Sequence, residues 1–227
     1  MDASAAAALA HLEEAEAGSD HQLAWARGFI DAARSADHLG KVRTLLDGSV
    51  SFEGLAVDID LRWHAVTSLA AAGVVDAESL IAAELERDPT DRGQRHAIAA
   101  MAARPTEEAK AEAWRTILED RELSEAMLEA AMRGFQQPGQ EEVLVPYADR
   151  YFEALPRVWE ERDLEFVLEF GEQMYPKWVV AGSTIEATDR YLSRSDVPGP
   201  IRRLLLEGRD RIERALRAHE VDAAVRR

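Results

Sequence analysis

Apolar residues recur at helical spacing through most of this chain, and turn-forming residues interrupt them at regular intervals. Leu128, Ala131, Met132 and Phe135 fall at i, i+3, i+4 and i+7, behind Ser124 as a cap and with Gly134 near the end. Leu144, Tyr147, Ala148, Tyr151, Phe152 and Leu155 continue that spacing, as do Ile201, Leu204, Leu205, Gly208, Ile212, Ala215 and Leu216. Each stripe buries one face of a helix, so each predicts a neighbouring helix to pack on.

The punctuation supports the same elements. Asp76 is placed to cap a helix carrying Leu80, Ile81 and Leu85 that stops at Asp88-Pro89, and Thr90 to cap the next, which stops before Pro105. Thr106 precedes a third, with Glu107 and Glu108 in the first turn, where the helix dipole favours negative charge. Ser183 to Glu186 reads as a capping box. Asp20-His21 and Asp37-His38 each begin a helix, with Asp as an ordinary cap. The stretch from Asp47 to Val57 reads as a loop, since a lone strand there has no sheet to join.

Pairing these helices gives units at about 76–104, 106–137, 140–175 and 182–220, close to the period of HEAT or armadillo arrays. The repeats agree in length and helix pattern, not in residue identity. The expected fold is therefore all-α, a HEAT/armadillo-like right-handed α-solenoid of antiparallel helix pairs. The expected organisation is an Ala-rich leader over 1–19, open to fraying, a single helical-repeat domain over 20–220, and a tail over 221–227.

Composition narrows the chemistry. A hydrophobic content of 47% with 31% charged residues fits a folded, water-soluble chain. The net charge of −16 argues against nucleic acid or an anionic membrane as partner, because phosphate binding needs concentrated Lys and Arg. With no Cys, thiolate nucleophiles, disulfides and Cys-held metals are excluded. No signal-peptide pattern and no apolar run of roughly 20 residues appear, so a cytoplasmic protein is expected. No nucleophile elbow or Gly-rich phosphate loop is present. Tyr147, Tyr151, Phe152 and Trp159 form an aromatic stripe expected in the core.

Six strings carry a resemblance: DHQLAWAR (20–27), LLDGSVSFEGLAVDIDLRW (45–63), RPTEEAKAEAW (104–114), GFQQPGQ (134–140), PYADRYF (146–152) and LLLEGRDRIERALRA (204–218). In residues and in order they are similar to the C-terminal helical domain of bacterial, actinobacterial-type aminopeptidase N, also called the endoplasmic-reticulum-aminopeptidase-like C-terminal domain. The resemblance implies a parent enzyme that removes N-terminal residues from peptides at a zinc site, with this helical part closing the active-site chamber. Its implied partners are the parent's catalytic domain and the peptide substrate.

The resemblance also implies that chemistry lies elsewhere in the parent. The family's zinc is held by H-E-x-x-H, and its G-x-M-E-N segment grips the substrate amine; neither string occurs here. Among six His, the nearest approach is His219-Glu220-Val221-Asp222-Ala223, whose fifth position is Ala. A catalytic zinc needs about three protein ligands, so no cofactor and no aminopeptidase activity are expected of this chain alone. What is implied is an isolated domain, a fragment or one part of a split protein. The alternative is a freestanding helical scaffold for protein–protein interaction.

Substrate-binding candidates follow from the chamber reading. Asp58-Ile59-Asp60-Leu61-Arg62-Trp63 reads structurally as an Asp cap, a core Trp63 and an Arg62 paired with a carboxylate. Functionally, Arg62 facing the chamber would grip a peptide carboxylate in a two-pronged contact. Gly134 to Gln140 reads as a helix stop, with Gly134 at a left-handed position and Pro138 barring continuation. That stop does not require Gln136 or Gln137, which are the remaining candidates for bonding a peptide backbone.

Overall fold

The computed structural model describes residues 2–225. They form twelve α-helices, and no strand occurs among the described residues, as the apolar periodicity predicts. None of these helices is long and apolar enough to cross a membrane. The chain divides into two compact units, the first ending at Pro105 and the second starting at Thr106.

The first unit contains α1 (Asp2–Glu14), α2 (Asp20–Ala32), α3 (Ala36–Asp47), α4 (Ile59–Ala71), α5 (Ala77–Arg87) and α6 (Asp91–Ala103). Its central element is α4, which packs against α2, α3, α5 and α6. Leu61, Trp63, Ala65, Val66, Leu69 and Ala70 are all buried there, which covers more than one helix face. Each fully buried Leu contributes about 1.5–3 kcal/mol relative to exposure. The Ala-rich leader, expected to fray, is instead α1 packed against α2, with Ala5, Ala8 and Leu12 buried. Small Ala side chains let the two helices meet closely, which replaces the missing aliphatic bulk.

The loop from Gly48 to Val57 has no strand. Phe52, Leu55 and Val57 fold down onto the core of this unit. Gly54 lies at φ 79, and a Cβ there would fall 2.3 Å from the Gly18 nitrogen. Gln22, nearly inaccessible, ties the two loops together: its Nε2 donates to the Glu53 carbonyl (3.0 Å) and its Oε1 accepts from Gly18 N–H (2.9 Å).

The second unit contains α7 (Glu107–Glu119), α8 (Glu125–Phe135), α9 (Glu141–Glu161), α10 (Leu164–Gln173), α11 (Gly182–Leu192) and α12 (Gly199–Val225). Contacts join α7 to α8, α9 to α10 and α11 to α12, and run α7–α9–α11 and α8–α10–α12. Helix pairs are thus stacked in two rows, the arrangement of a helical repeat. Tyr151 sits at the centre, fully buried, its ring stacked on Phe170 (5.7 Å) and its hydroxyl donating to the Gly171 carbonyl (2.8 Å). Burial pushes its pKa well above the ordinary phenol value. Trp159, expected in the same aromatic core, is 39% exposed.

The caps at Asp58, Thr90 and Thr106 form as read, each side chain accepting an N–H three residues on. Asp76 and Ser124 hold the cap positions of α5 and α8 but make no side-chain cap bond, and further local expectations are corrected. Helices α2 and α3 are capped by Ser19 and Ser35, so Asp20 and Asp37 lie in the first turn rather than at the cap. Ser183 lies inside α11 and forms no capping box; the Thr184 hydroxyl next to it donates to the Val179 carbonyl (2.7 Å). Gly134 is helical, because α8 continues through Phe135, whose ring packs edge-on against Tyr147 (5.0 Å). The left-handed residue of that turn is Gly139, at φ 80.

Candidate functional site

Arg62 is set on α4 by the Asp58 cap, which starts the helix so that Trp63 points into the core and Arg62 toward α3 and α5. Its Nε and Nη2 donate to the two carboxylate oxygens of Glu84 at 2.8 and 2.7 Å. Its Nη1 donates to the Leu46 carbonyl at 2.8 Å. The Glu84 side chain is 3% exposed, so this is a buried carboxylate answered by a two-pronged guanidinium. Glu84 in turn holds the Arg62 pKa above its already high ordinary value.

The pair forms one wall of a cleft of about 360 Å³ that also includes Arg43, Asp47 and Arg87. Arg43 makes a two-pronged pair with Asp76, and Arg87 Nε lies 4.0 Å from Glu84. Within the cleft Arg62 is already bonded to Glu84 and to the Leu46 carbonyl through all three of its guanidinium nitrogens.

Trp63 carries a second network. Its indole N–H donates to Asp88 (2.9 Å), whose other oxygen accepts from the Thr90 hydroxyl (2.6 Å). These two donors, Thr90 first, hold the Asp88 carboxyl below the usual range. His96 stacks on the same indole (5.6 Å), and burial, then the Arg92 charge, lower its pKa.

Gln136 and Gln137 lie in the second unit, after α8. Gln136 is buried, and its Nε2 donates to both the Gln173 and Tyr175 carbonyls, each at 2.7 Å. Gln137 is half-buried, and its Nε2 donates to the Gly134 carbonyl at 3.0 Å. At the start of α3, Asp37 meets Lys41 (3.0 Å) and His38 Nδ1 lies 3.0 Å from the Ser35 hydroxyl.

The sequence does not single out Gln22, Glu84 or Lys110. Lys110 is wholly buried on α7, with its Nζ donating to the Phe135 carbonyl at 2.6 Å. Nothing local marks it, since its i±3 and i±4 neighbours do not announce a buried acceptor 25 residues away.

Among the described residues no group of three or more His, Cys, Asp or Glu side chains is arranged to hold a metal ion. The residues present do not fit the zinc of an aminopeptidase.

The ERAP1-like C-terminal domain family matches residues 2–214 of this sequence. This chain belongs to that family. Over 218 residues, 96% of its length, it is also 50% identical to Aminopeptidase N of Streptomyces lividans. It spans about a quarter of that relative's length. The resemblance read from the six strings is thereby established for an ERAP1-like domain.

Proposed function

We propose that this ERAP1-like domain is the non-catalytic helical part of a cytoplasmic zinc-dependent aminopeptidase N that removes N-terminal residues from peptides. It closes the active-site chamber and contributes to peptide entry, with the catalytic domain and the peptide as its partners. The observation that carries this reading is the 50% identity to Aminopeptidase N of Streptomyces lividans across 96% of the chain.

Within that reading, Gln137 and Arg62 are the groups proposed for peptide contact. The amide hydrogens of Gln136 already serve two backbone carbonyls, which supports a structural part for it.

The test is a graft of this chain into the Streptomyces lividans enzyme in place of the matching quarter. The chimaera should cleave both peptides and small aminoacyl substrates, and Gln137→Ala in it should weaken peptide cleavage more than aminoacyl cleavage. A folded chimaera that cleaves small substrates but no peptide overturns the chamber reading and favours a freestanding scaffold.

A further inference from the structure

The second unit holds a cleft of about 380 Å³ along α9, within the size range of small-molecule sites. Trp114 and Leu118 of α7 and Val158 of α9 supply an apolar floor. Around it stand Arg121, Arg150, Arg157 and Arg162, against only Glu153 and Glu161. In a chain of net charge −16, this cleft carries a surplus of two positive charges.

The carboxylates do not satisfy those guanidinium groups. Glu161 is shared, 2.8 Å from Arg121 Nη2 and 3.0 Å from Arg157 Nε. Arg150 makes no ion pair among the described residues and lies over the Tyr147 ring at 5.1 Å. Arg162 is committed to the fold, because its Nη2 reaches the carbonyls of Ile117, Leu118 and Asp120 at the end of α7. The Arg157–Glu161 pair, at i and i+4, is an ordinary exposed helix contact. That explanation does not extend to Arg150, placed two turns before Arg157 on the same helix. The two are separated by about 10 Å along the axis, close enough for two long side chains to converge on one anion.

We propose that this cleft binds a small molecule joining a flat ring to a phosphomonoester, the ring on Trp114 and Leu118 and the phosphate between Arg150 and Arg157. A phosphomonoester carries a charge of about −1.5 to −2 near neutral pH, which matches the surplus. A monocarboxylate would leave about half of it uncompensated. Guanidinium forks match phosphate oxygens in pairs, and the apolar floor accepts a ring that inorganic phosphate lacks. The proposal is independent of the chamber reading.

Calorimetric titration of the whole chain with adenosine 5′-monophosphate, phenyl phosphate, adenosine, inorganic phosphate and benzoate tests it. The two phosphomonoesters should bind at least about tenfold more tightly than the other three, and more weakly as salt is added. Arg150→Gln and Arg157→Gln should each weaken binding about tenfold, while Arg214→Gln, outside the cleft, leaves it unchanged. Arg150 and Arg157 are exposed, and amide shifts confined to α7 and α9 give a second readout on the unaltered chain. Absence of binding by either phosphomonoester at about 10 mM, equal binding of benzoate, or shifts elsewhere in the chain would overturn the proposal.

Discussion

Arg62 and Glu84 meet across 22 residues of sequence as a two-pronged ion pair, with both carboxylate oxygens accepting from one guanidinium at 2.8 and 2.7 Å. Removing Arg62 would leave a carboxylate in a site only 3% exposed. Breaking a buried pair costs about 3–5 kcal/mol, and partial access of water to Arg62 lowers that figure. Arg62→Ala is therefore expected to destabilise the chain by about 2 kcal/mol in urea unfolding. Arg62→Lys should recover less than half of the loss, because an ammonium lacks the fork. An Arg62→Ala chain with an unchanged unfolding midpoint would contradict this.

Gln136 is expected to behave as a structural residue. Gln136→Ala leaves the Gln173 and Tyr175 carbonyls without their donor and should cost about 1–3 kcal/mol. Gln137→Ala, which loses one contact at a half-buried position, should cost less than about 1 kcal/mol. Thermal melts of the two variants compare them directly.

Gly208 on α12 faces the ring of Tyr175, and an added Cβ would lie 2.7 Å from two of its ring carbons. The Tyr175 hydroxyl is held at 2.9 Å from Thr188 Oγ1, so the ring has little freedom to retreat. Gly208→Ala should therefore destabilise by about 1–3 kcal/mol, although Ala is the better helix former. A raised melting temperature would show that α12 shifts freely.

Stability should fall as pH drops below about 6.5, the ordinary His value. His96 has its pKa lowered by burial and by Arg92, so the folded state binds fewer protons there than the unfolded chain. Its contribution is present above the unfolded pKa and is lost as pH falls through the folded one. Asp88, also lowered, loses its contribution only below the ordinary carboxylate value near 3.8, in a separate window. Urea unfolding of His96→Asn should show a shallower loss of stability than the parent chain as pH falls below about 6.5. Equal slopes would refute the assignment.

Much of this architecture is legible in the sequence because its causes are local. Asp58, Thr90 and Thr106 cap helices through bonds three residues long, and a 3.6-residue stripe states which face is buried. Helix ends are less legible. Ser19-Asp20 and Ser35-Ala36-Asp37 each offer two competent caps, and in both the Ser takes the position. Gly134 has the sequence features of a stop, but packing of Phe135 on Tyr147 draws α8 one residue further.

The sequence by itself determined that this chain is helical, where its helix pairs lie from residue 76 onward and which family it belongs to. Capping, periodicity and ordered strings of residues are properties of short segments. Only the tertiary structure decided the partners of the long polar side chains: Arg62 with Glu84, Gln136 with Gln173 and Tyr175, Gln22 with Glu53, Lys110 with Phe135. Those partners lie 22 to 39 residues away. A side chain that reaches across to another helix is committed by which helices become neighbours, and that depends on packing of the whole unit rather than on any local pattern.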